Sequence, residues 1–239
     1  MKIGVLQVDA VLDEFQAEHG NYPDMFQDLL ETAARELKLS IEIAHYDIEH
    51  GNYPANIDEC DGYIVTGSKK SVYDDEPWIH RFRDYVVELH AAEAKLVGIC
   101  FGHQMIALAL GGNTEAAGTG WGVGVHTSAL IQDKPYMQPP LAHLSAIVSH
   151  KDQVTHLPPG AELLSTSDFC PNSMFQIGNH ILAFQGHPEF SKDYSRALMD
   201  LRKEILGEEV YTKGVESLQQ EIHSKVYARW ILQFFAGCP

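Results

Sequence analysis

Short apolar runs alternate with amphipathic stretches along the first half of the chain. Uninterrupted apolar runs are typical of buried strands, whereas apolar residues spaced i, i+3, i+4 and i+7 are typical of helices that pack one face on a core. A polar loop is expected at 9–22. The pattern predicts strands at 3–8, 41–46, 61–66 and 96–99, and helices through 25–37, 76–93 and 105–110.

Beyond Gly111-Gly112 the chain changes to shorter strands separated by turns, and then returns to helical spacing. Strands are predicted at 123–131, 146–149, 162–167, 173–177 and 180–184, and helices at about 193–206 and 215–235. Strands that alternate with helices favour βαβ units and a parallel sheet. We therefore expect an α/β fold in which an open, mostly parallel central sheet is flanked by helices, with a small antiparallel strand region and two C-terminal helices.

The organisation of the chain points to one folding unit. Its 239 residues are 45% hydrophobic, which is enough for a full core. No linker or low-complexity segment interrupts it. We expect a single domain at 1–239, with a core at about 1–190 and a helical C-terminal extension at about 191–239.

The chain is acidic, with a formal net charge of −16. Nucleic acids and anionic membrane surfaces attract basic proteins, so this charge argues against both as partners. No apolar run approaches the roughly 20 residues of a membrane-spanning helix, and the segment after Met1 reads as a strand rather than a signal peptide. Widely spaced cysteines without a C-x-x-C pair predict no disulfide framework, no zinc site and a reducing cytoplasm; they are Cys60, Cys100, Cys170 and Cys238.

One cysteine stands between a predicted strand and a predicted helix, flanked two residues away on each side by Gly98 and Gly102. This is the layout of a nucleophile elbow, in which a tight turn lifts the nucleophile out of the sheet. A side chain at either flanking position would collide with the turn. The turn also places the sulfur of Cys100 at a helix N-terminus, where the helix dipole favours a thiolate. A buried structural cysteine would show the same local pattern. Other residues of the site are therefore needed to distinguish a catalytic cysteine from a structural one.

A cysteine nucleophile needs a base, and the base needs a group that orients it. His187 and Glu189 supply both, just after the last predicted strand. Residues two apart in an extended segment point the same way. We therefore expect the carboxylate of Glu189 to reach the imidazole of His187 while that ring faces Cys100.

The elbow at Gly98-x-Cys100-x-Gly102-His103-Gln104, followed by Gly186-His187-Pro188-Glu189, resembles the class I glutamine amidotransferase family. The resemblance runs from the first strand to about Phe190, and is strongest to a free-standing GMP-synthase-like branch. It implies a flavodoxin-like sheet and a Cys-His-Glu triad. Cys100 would attack the side-chain amide of glutamine to form a γ-glutamyl thioester, His187 would pass the proton to the leaving ammonia, and Glu189 would orient His187.

The same resemblance implies further site residues. The backbone N–H groups of Ser68 and Phe101 would face the oxyanion, although the family usually has glycine and proline where this chain has Ser68 and Lys69. Gly120-Trp121 also fits a segment that the family carries after the elbow helix. The implied substrate-binding residues are Gly67, Gln104, His150 and Asp152.

The chain has no G-x-x-x-x-G-K-[ST] loop and no second catalytic domain, so the ammonia-using half of a synthase is not expected in it. Neither a cofactor nor a metal is expected. Three functions stay open. The chain could be a glutaminase that supplies ammonia to a separate synthase or acceptor partner. It could be a stand-alone hydrolase, such as a γ-glutamyl peptidase acting on glutathione-like compounds. It could also be a non-catalytic amidotransferase-like interaction module. A homodimer is open as well.

A hexapeptide occurs twice, as Glu18–Pro23 and as Glu49–Pro54. Each copy follows a predicted strand, so both are expected near the carboxyl edge of the sheet, where open α/β sheets place their sites. Gly-Asn and Tyr-Pro also make good turns. The pattern is therefore consistent with a role at the site or with turn formation alone.

Overall fold

The computed structural model describes residues 1–237, so Cys238 lies outside the described residues. The strands are β1 (Lys2–Gln7), β2 (Glu42–Asp47), β3 (Gly62–Val65), β4 (Leu96–Ile99), β5 (Asn113–Ala116), β6 (Gly122–Leu130), β7 (His143–His150), β8 (Asp152–His156), β9 (Ala161–Thr166), β10 (Met174–Ile177) and β11 (Ile181–Phe184). The helices are α1 (Asp13–His19), α2 (Tyr22–Leu37), α3 (Pro77–Ala91), α4 (Phe101–Ala109), α5 (Lys192–Leu201), α6 (Lys203–Ser217) and α7 (Ser224–Phe235), with a 3-10 turn at Ile57–Glu59.

Nine strands form one open sheet in the order β2-β1-β3-β4-β11-β10-β9-β6-β7. The five strands from β2 to β11 are parallel to their neighbours. The strands from β10 to β7 continue the sheet with antiparallel pairing. The predicted α/β class is confirmed, and the antiparallel strands extend the main sheet. Strands β5 and β8 pair separately as a two-stranded ribbon.

Helices cover both faces of the sheet. Successive strand residues point to opposite faces and are apolar on both, so each face has to be buried. Helices α2 and α7 cover one face, where Phe26 and the fully buried Trp230 pack on strand residues such as Ile64. Helices α3 and α4 cover the other face through residues such as Phe82 and Met105. Helices α5 and α6 lie on the antiparallel part of the sheet, mainly against β6.

Four segments differ from the prediction. The expected loop at 9–22 contains α1, a helix without a buried residue and therefore without an apolar stripe to detect. Strands β5 and β8 were not predicted; β5 buries only Thr114, and β8 buries only the adjacent Gln153 and Val154, so neither shows an alternating pattern. The two predicted C-terminal helices are three, because one break follows Leu201 and another separates Ser217 from Ser224.

The carboxyl ends of β1, β3, β4 and β11 meet at one edge of the sheet, because these four strands are parallel. Open α/β sheets bind ligands at this edge. The residues that follow the four strands here include Asp9, Gly67, Cys100 and His187. Within residues 1–237, no helix is both long and apolar enough to span a bilayer.

Candidate active site

Cys100 occupies a strained turn between β4 and α4, with φ 51° and ψ −98°. A Cβ added at Gly98 would lie 2.6 Å from the backbone carbon of Gly102. A Cβ added at Gly102 would lie 2.7 Å from the Cβ of Val65 on the neighbouring strand. A side chain at either glycine would therefore collide with its surroundings, as expected for a nucleophile elbow. A positive φ in a residue other than glycine is a costly conformation, which a fold retains only where the surrounding structure over-determines it.

His187 and Glu189 form a buried pair directly after β11. Nδ1 of His187 lies 2.7 Å from Oε1 of Glu189, and both side chains are almost inaccessible. The backbone N–H of His187 donates to the carbonyl of Ile147 at 2.8 Å, and the ring of Phe190 stacks on the imidazole with centroids 3.9 Å apart. These contacts fix the position and the plane of the imidazole, and they leave Nε2 as the nitrogen available for proton transfer.

The charges around His187 favour its protonated form. Burial lowers the pKa of His187, but the negative charges of Glu189 and of Cys100 more than offset this and raise the pKa above its usual value of 6.5. An imidazolium beside a cysteine stabilises the thiolate, which is the nucleophilic form of the sulfur. The arrangement therefore favours an imidazolium at His187, between Cys100 and the carboxylate of Glu189.

The loop after β3 presents a backbone donor near Cys100. The carbonyl of Gly67 accepts a hydrogen bond from the hydroxyl of Thr66 at 3.1 Å. Because C=O and N–H point in opposite directions across a trans peptide, this bond turns the N–H of Ser68 away from Thr66. In the described chain, neither the N–H of Ser68 nor that of Phe101 donates to another residue. Of these two expected oxyanion donors, Ser68 is among the residues that line the cavity at Cys100, and Phe101 is not.

Asp9 fixes this loop from the end of β1. Its carboxylate accepts from the backbone N–H of Lys69 at 2.7 Å and from the Lys69 ammonium at 2.9 Å. It also accepts from the hydroxyl of Ser68 at 3.4 Å. Asp9 is nearly buried. This role of Asp9 was not expected from the sequence, although its position after a predicted parallel strand was an available signal.

Three of the four expected substrate-binding residues are held by hydrogen bonds. Gln104 donates to the carbonyl of Asp152 at 2.8 Å and to Gln185 at 3.1 Å. His150 bonds the same carbonyl at 3.0 Å, and burial lowers its pKa to about 3, so its ring is neutral. The carboxylate of Asp152 accepts from the hydroxyls of Ser71 and Tyr73. These residues therefore form a fixed wall.

A cavity of about 520 Å³ brings six of the nine expected site residues together. It is lined by Ser68, Cys100, Gln104, His150, Asp152 and His187. Gly67 lies behind this lining against the imidazole, where an added Cβ would be 2.6 Å from Cε1 of His187. Glu189 is among the residues that line a second cavity of about 430 Å³. The first cavity is also lined by residues of α5 and α6, which were not expected from the sequence.

The two copies of the repeated hexapeptide have different environments. In the first copy, Asn21 caps α2, and Tyr22 lines the cavity and stacks on Phe190 with centroids 6.1 Å apart. In the second copy, Tyr53 packs edge-on against Tyr85 of α3, and the lining of the cavity does not include it. Only the first copy is therefore part of the site.

Comparison with known proteins agrees with this geometry. The sequence model of the family "Glutamine amidotransferase class-I" matches residues 21–199. γ-Glutamyl peptidase 3 of Arabidopsis thaliana is 30% identical over 172 residues, which cover 69% of each chain. A glutamine amidotransferase-like protein of Schizosaccharomyces pombe is 29% identical over 88% of this chain and 87% of its own.

Solved structures show the same fold. A glutamine amidotransferase from Thermotoga maritima superposes with a TM-score of 0.72 over 98% of this chain and 95% of its own, at 19% identity. At that identity the likeness concerns the fold, whereas the family model covers the elbow and the His187 segment together. The chain belongs to the class I glutamine amidotransferase family.

Proposed function

We propose that this protein hydrolyses a γ-glutamyl amide, with Cys100 as nucleophile, His187 as acid and base, and Glu189 as the group that orients His187. The observation that carries the proposal is the buried pair of His187 and Glu189 at 2.7 Å behind a cysteine held at positive φ. Burying such a pair is costly. Its retention next to a strained cysteine is expected of a catalytic site.

In the first half of the reaction, the thiolate of Cys100 attacks the γ-carbonyl carbon and forms a tetrahedral intermediate. The N–H groups of Ser68 and Phe101 donate to its oxyanion. His187 then gives its proton to the leaving nitrogen, the C–N bond breaks, and a γ-glutamyl thioester remains on Cys100. In the second half, neutral His187 takes a proton from water, which attacks the thioester and releases glutamate.

Gln104, His150 and Asp152 line the same cavity and are proposed, with the backbone at Gly67, to position the glutamyl part of the substrate. The Gln104 amide group is already held by Asp152 and Gln185. Its orientation is therefore set before a substrate arrives. Such pre-organisation favours the reacting geometry.

Two leaving groups are compatible with this chemistry. Release of ammonia from glutamine is the reaction of a glutaminase, which serves a synthase or acceptor partner. Release of an amino acid or peptide is the reaction of a γ-glutamyl peptidase, and the relatives from Arabidopsis thaliana carry that name. The cavity is large enough for the second, because 520 Å³ lies in the range of roughly 300–1,000 Å³ that is typical of pockets for drug-sized ligands.

The test is glutamate release by the purified chain from glutamine and from a panel of γ-glutamyl compounds. We expect turnover without a partner protein. Cys100→Ala and His187→Ala should each abolish turnover. The double variant should lose no more activity than either single variant, because the effects of substitutions within one catalytic unit do not add. Turnover only with an added partner would favour the glutaminase subunit, and none under any condition would favour the non-catalytic module.

We also propose a reducing compartment, such as the cytoplasm, as the location of the protein. Cys60, Cys100 and Cys170 are free thiols. A thiolate nucleophile requires the reduced state, which such a compartment maintains. Fractionation of cells that express the tagged chain tests the location.

A further inference from the structure

The residues that line the cavity around Cys100 fall into two groups, which we call its inner half and its outer half. The inner half contains Cys100, His187 and the loop after β3. The outer half consists of Leu201 at the end of α5, Ile205 near the start of α6, Arg202 between them, and Leu12 and Trp121 from other parts of the chain. Residues after 199 lie outside the stretch that the family model matches.

Exposed apolar side chains are concentrated in this outer half of the cavity. Leu12 is 38% exposed, Leu201 is 51% exposed and Ile205 is 70% exposed. They are three of the six large hydrophobic side chains that are exposed in residues 1–237, and all three line this one cavity. Such a concentration indicates a surface that an apolar group covers.

Four lysine and arginine side chains also line the cavity of this strongly acidic chain. Lys69 forms an ion pair with Asp9, and Lys70 forms one with Glu76. Lys151 and Arg202 take part in none of the ion pairs formed within residues 1–237.

The carboxylates of the cavity do not neutralise Arg202. Asp9 is held by Lys69, and Asp152 accepts from the hydroxyls of Ser71 and Tyr73. Arg202 itself has neutral neighbours: its Nη1 donates to the hydroxyl of Ser149 at 2.9 Å, and its guanidinium lies 5.9 Å from the ring centroid of Trp121. These contacts orient the guanidinium, which forms no ion pair within residues 1–237. A guanidinium of this kind is suited to binding a carboxylate in a bidentate manner.

We propose that the outer half of the cavity binds the leaving amine of the substrate, with Arg202 on a carboxylate and Leu12, Leu201 and Ile205 on an apolar side chain. The inference rests on the proposed γ-glutamyl hydrolysis and specifies its substrate as a γ-glutamyl derivative of an apolar amino acid or of a peptide containing one. His187 protonates the nitrogen of that amine as the C–N bond breaks. Arg202 and Ile205 are thus specificity-determining residues.

The test compares four substrates that differ only in the leaving amine. L-γ-glutamyl-L-leucine carries the apolar group and the carboxylate, γ-glutamyl-isopentylamide lacks the carboxylate, γ-glutamylglycine lacks the apolar group, and glutamine lacks both. We expect kcat/KM to be highest for γ-glutamyl-leucine. Arg202→Gln should lower kcat/KM for this dipeptide about 10- to 100-fold, the usual range for a lost charged hydrogen bond. It should lower kcat/KM for the isopentylamide far less.

Ile205→Ser provides the complementary change. It should lower kcat/KM several-fold for γ-glutamyl-leucine and the isopentylamide, because both lose apolar contact, and less for γ-glutamylglycine. Matched controls are Arg196→Gln, whose guanidinium pairs with Asp200 on the surface of α5, and Ile131→Ser, which is 50% exposed and is not among the residues that line the cavity. Both controls should leave all four rates unchanged.

The outcomes separate this inference from the proposal on which it rests. If glutamate is released but all four substrates respond alike to Arg202→Gln, the carboxylate contact is wrong while γ-glutamyl hydrolysis stands. If glutamine is the best substrate of the unmodified chain, the outer half does not bind a leaving amine. If no substrate yields glutamate, the proposed function fails and the inference fails with it.

Discussion

The backbone of Gly67 lies against the imidazole of His187, so closely that a Cβ added at Gly67 would be 2.6 Å from Cε1. Real Cβ atoms do not make such contacts, so either the loop or the imidazole would have to shift. The imidazole is held by Glu189 and Phe190. Glycine at this position therefore allows the loop with its backbone donor and the imidazole to lie side by side.

Gly67→Ala should reduce kcat about 100-fold or more, because a displacement of about 1 Å at the reacting groups has effects of that size. Gly118→Ala is the matched control, since a Cβ there would meet no atom within 4 Å. Steady-state glutamate release and the thermal midpoint of both variants measure the effect. Full activity of Gly67→Ala would mean that the loop can move away without consequence.

Cys100 should react with iodoacetamide faster than Cys60 or Cys170. Burial raises the pKa of the Cys60 thiol, and raises that of Cys170 to about 12. Cys100 instead faces an open cavity and the protonated His187. Mass spectrometry after short exposures near neutral pH gives the three rates. Equal labelling of the three cysteines would contradict the proposed role of Cys100 as a thiolate nucleophile.

Glu189→Gln should shift the alkaline limb of the pH profile of kcat/KM to lower pH. The active form needs protonated His187, and its charge is lost as the pH rises through its pKa. Burial lowers that pKa and the carboxylate of Glu189 raises it. Removing the negative charge of Glu189 therefore lowers the pKa of His187 and moves the alkaline limb to lower pH. We also expect kcat to fall roughly 10²- to 10⁴-fold.

Glu14→Gln, an exposed residue of α1, is the control for this profile and should leave it unchanged. The profile reports the free enzyme, so it must be taken from kcat/KM. An alkaline limb that stays in place in Glu189→Gln would show that another group sets the charge of His187.

Asp9→Asn should impair catalysis by loosening the loop after β3. The carboxylate holds the backbone of Lys69 at 2.7 Å and its ammonium at 2.9 Å, next to the proposed oxyanion donor at Ser68. We expect kcat to fall about 10- to 100-fold with a smaller change in KM, since a displaced oxyanion donor weakens transition-state binding. Asp13→Asn, exposed on α1, should have no effect. A change in KM alone would point to substrate binding instead.

Asn21→Ala should lower the free energy of unfolding by about 1–2 kcal/mol, the usual effect of losing a helix cap. The side-chain oxygen of Asn21 accepts from Val11 at 3.0 Å and from Tyr22 at 2.9 Å. Asn52→Ala, at the same place in the second hexapeptide, is the matched control because Asn52 is exposed and should change stability by less than about 0.5 kcal/mol. Urea denaturation compares them. Equal losses would mean that the two copies have equivalent structural roles.

The local geometry of the site was determined by the sequence itself. Gly98 and Gly102 permit the tight turn at Cys100, and both expected collisions are present. His187 and Glu189, two residues apart, face the same way and meet at 2.7 Å. These features depend on sterics and spacing within a few residues, which a sequence displays directly.

The tertiary structure alone decided which distant groups join that site. Asp9 and Lys69 lie far apart in the chain and meet because β1 and β3 are neighbours in the sheet. Arg202 reaches the cavity because α5 ends on the antiparallel strands, where Ser149 and Trp121 hold it. Helix α1 has no buried residue and hence no periodic signal. Such contacts follow from how whole elements pack, and no local pattern of apolar and polar residues contains that information.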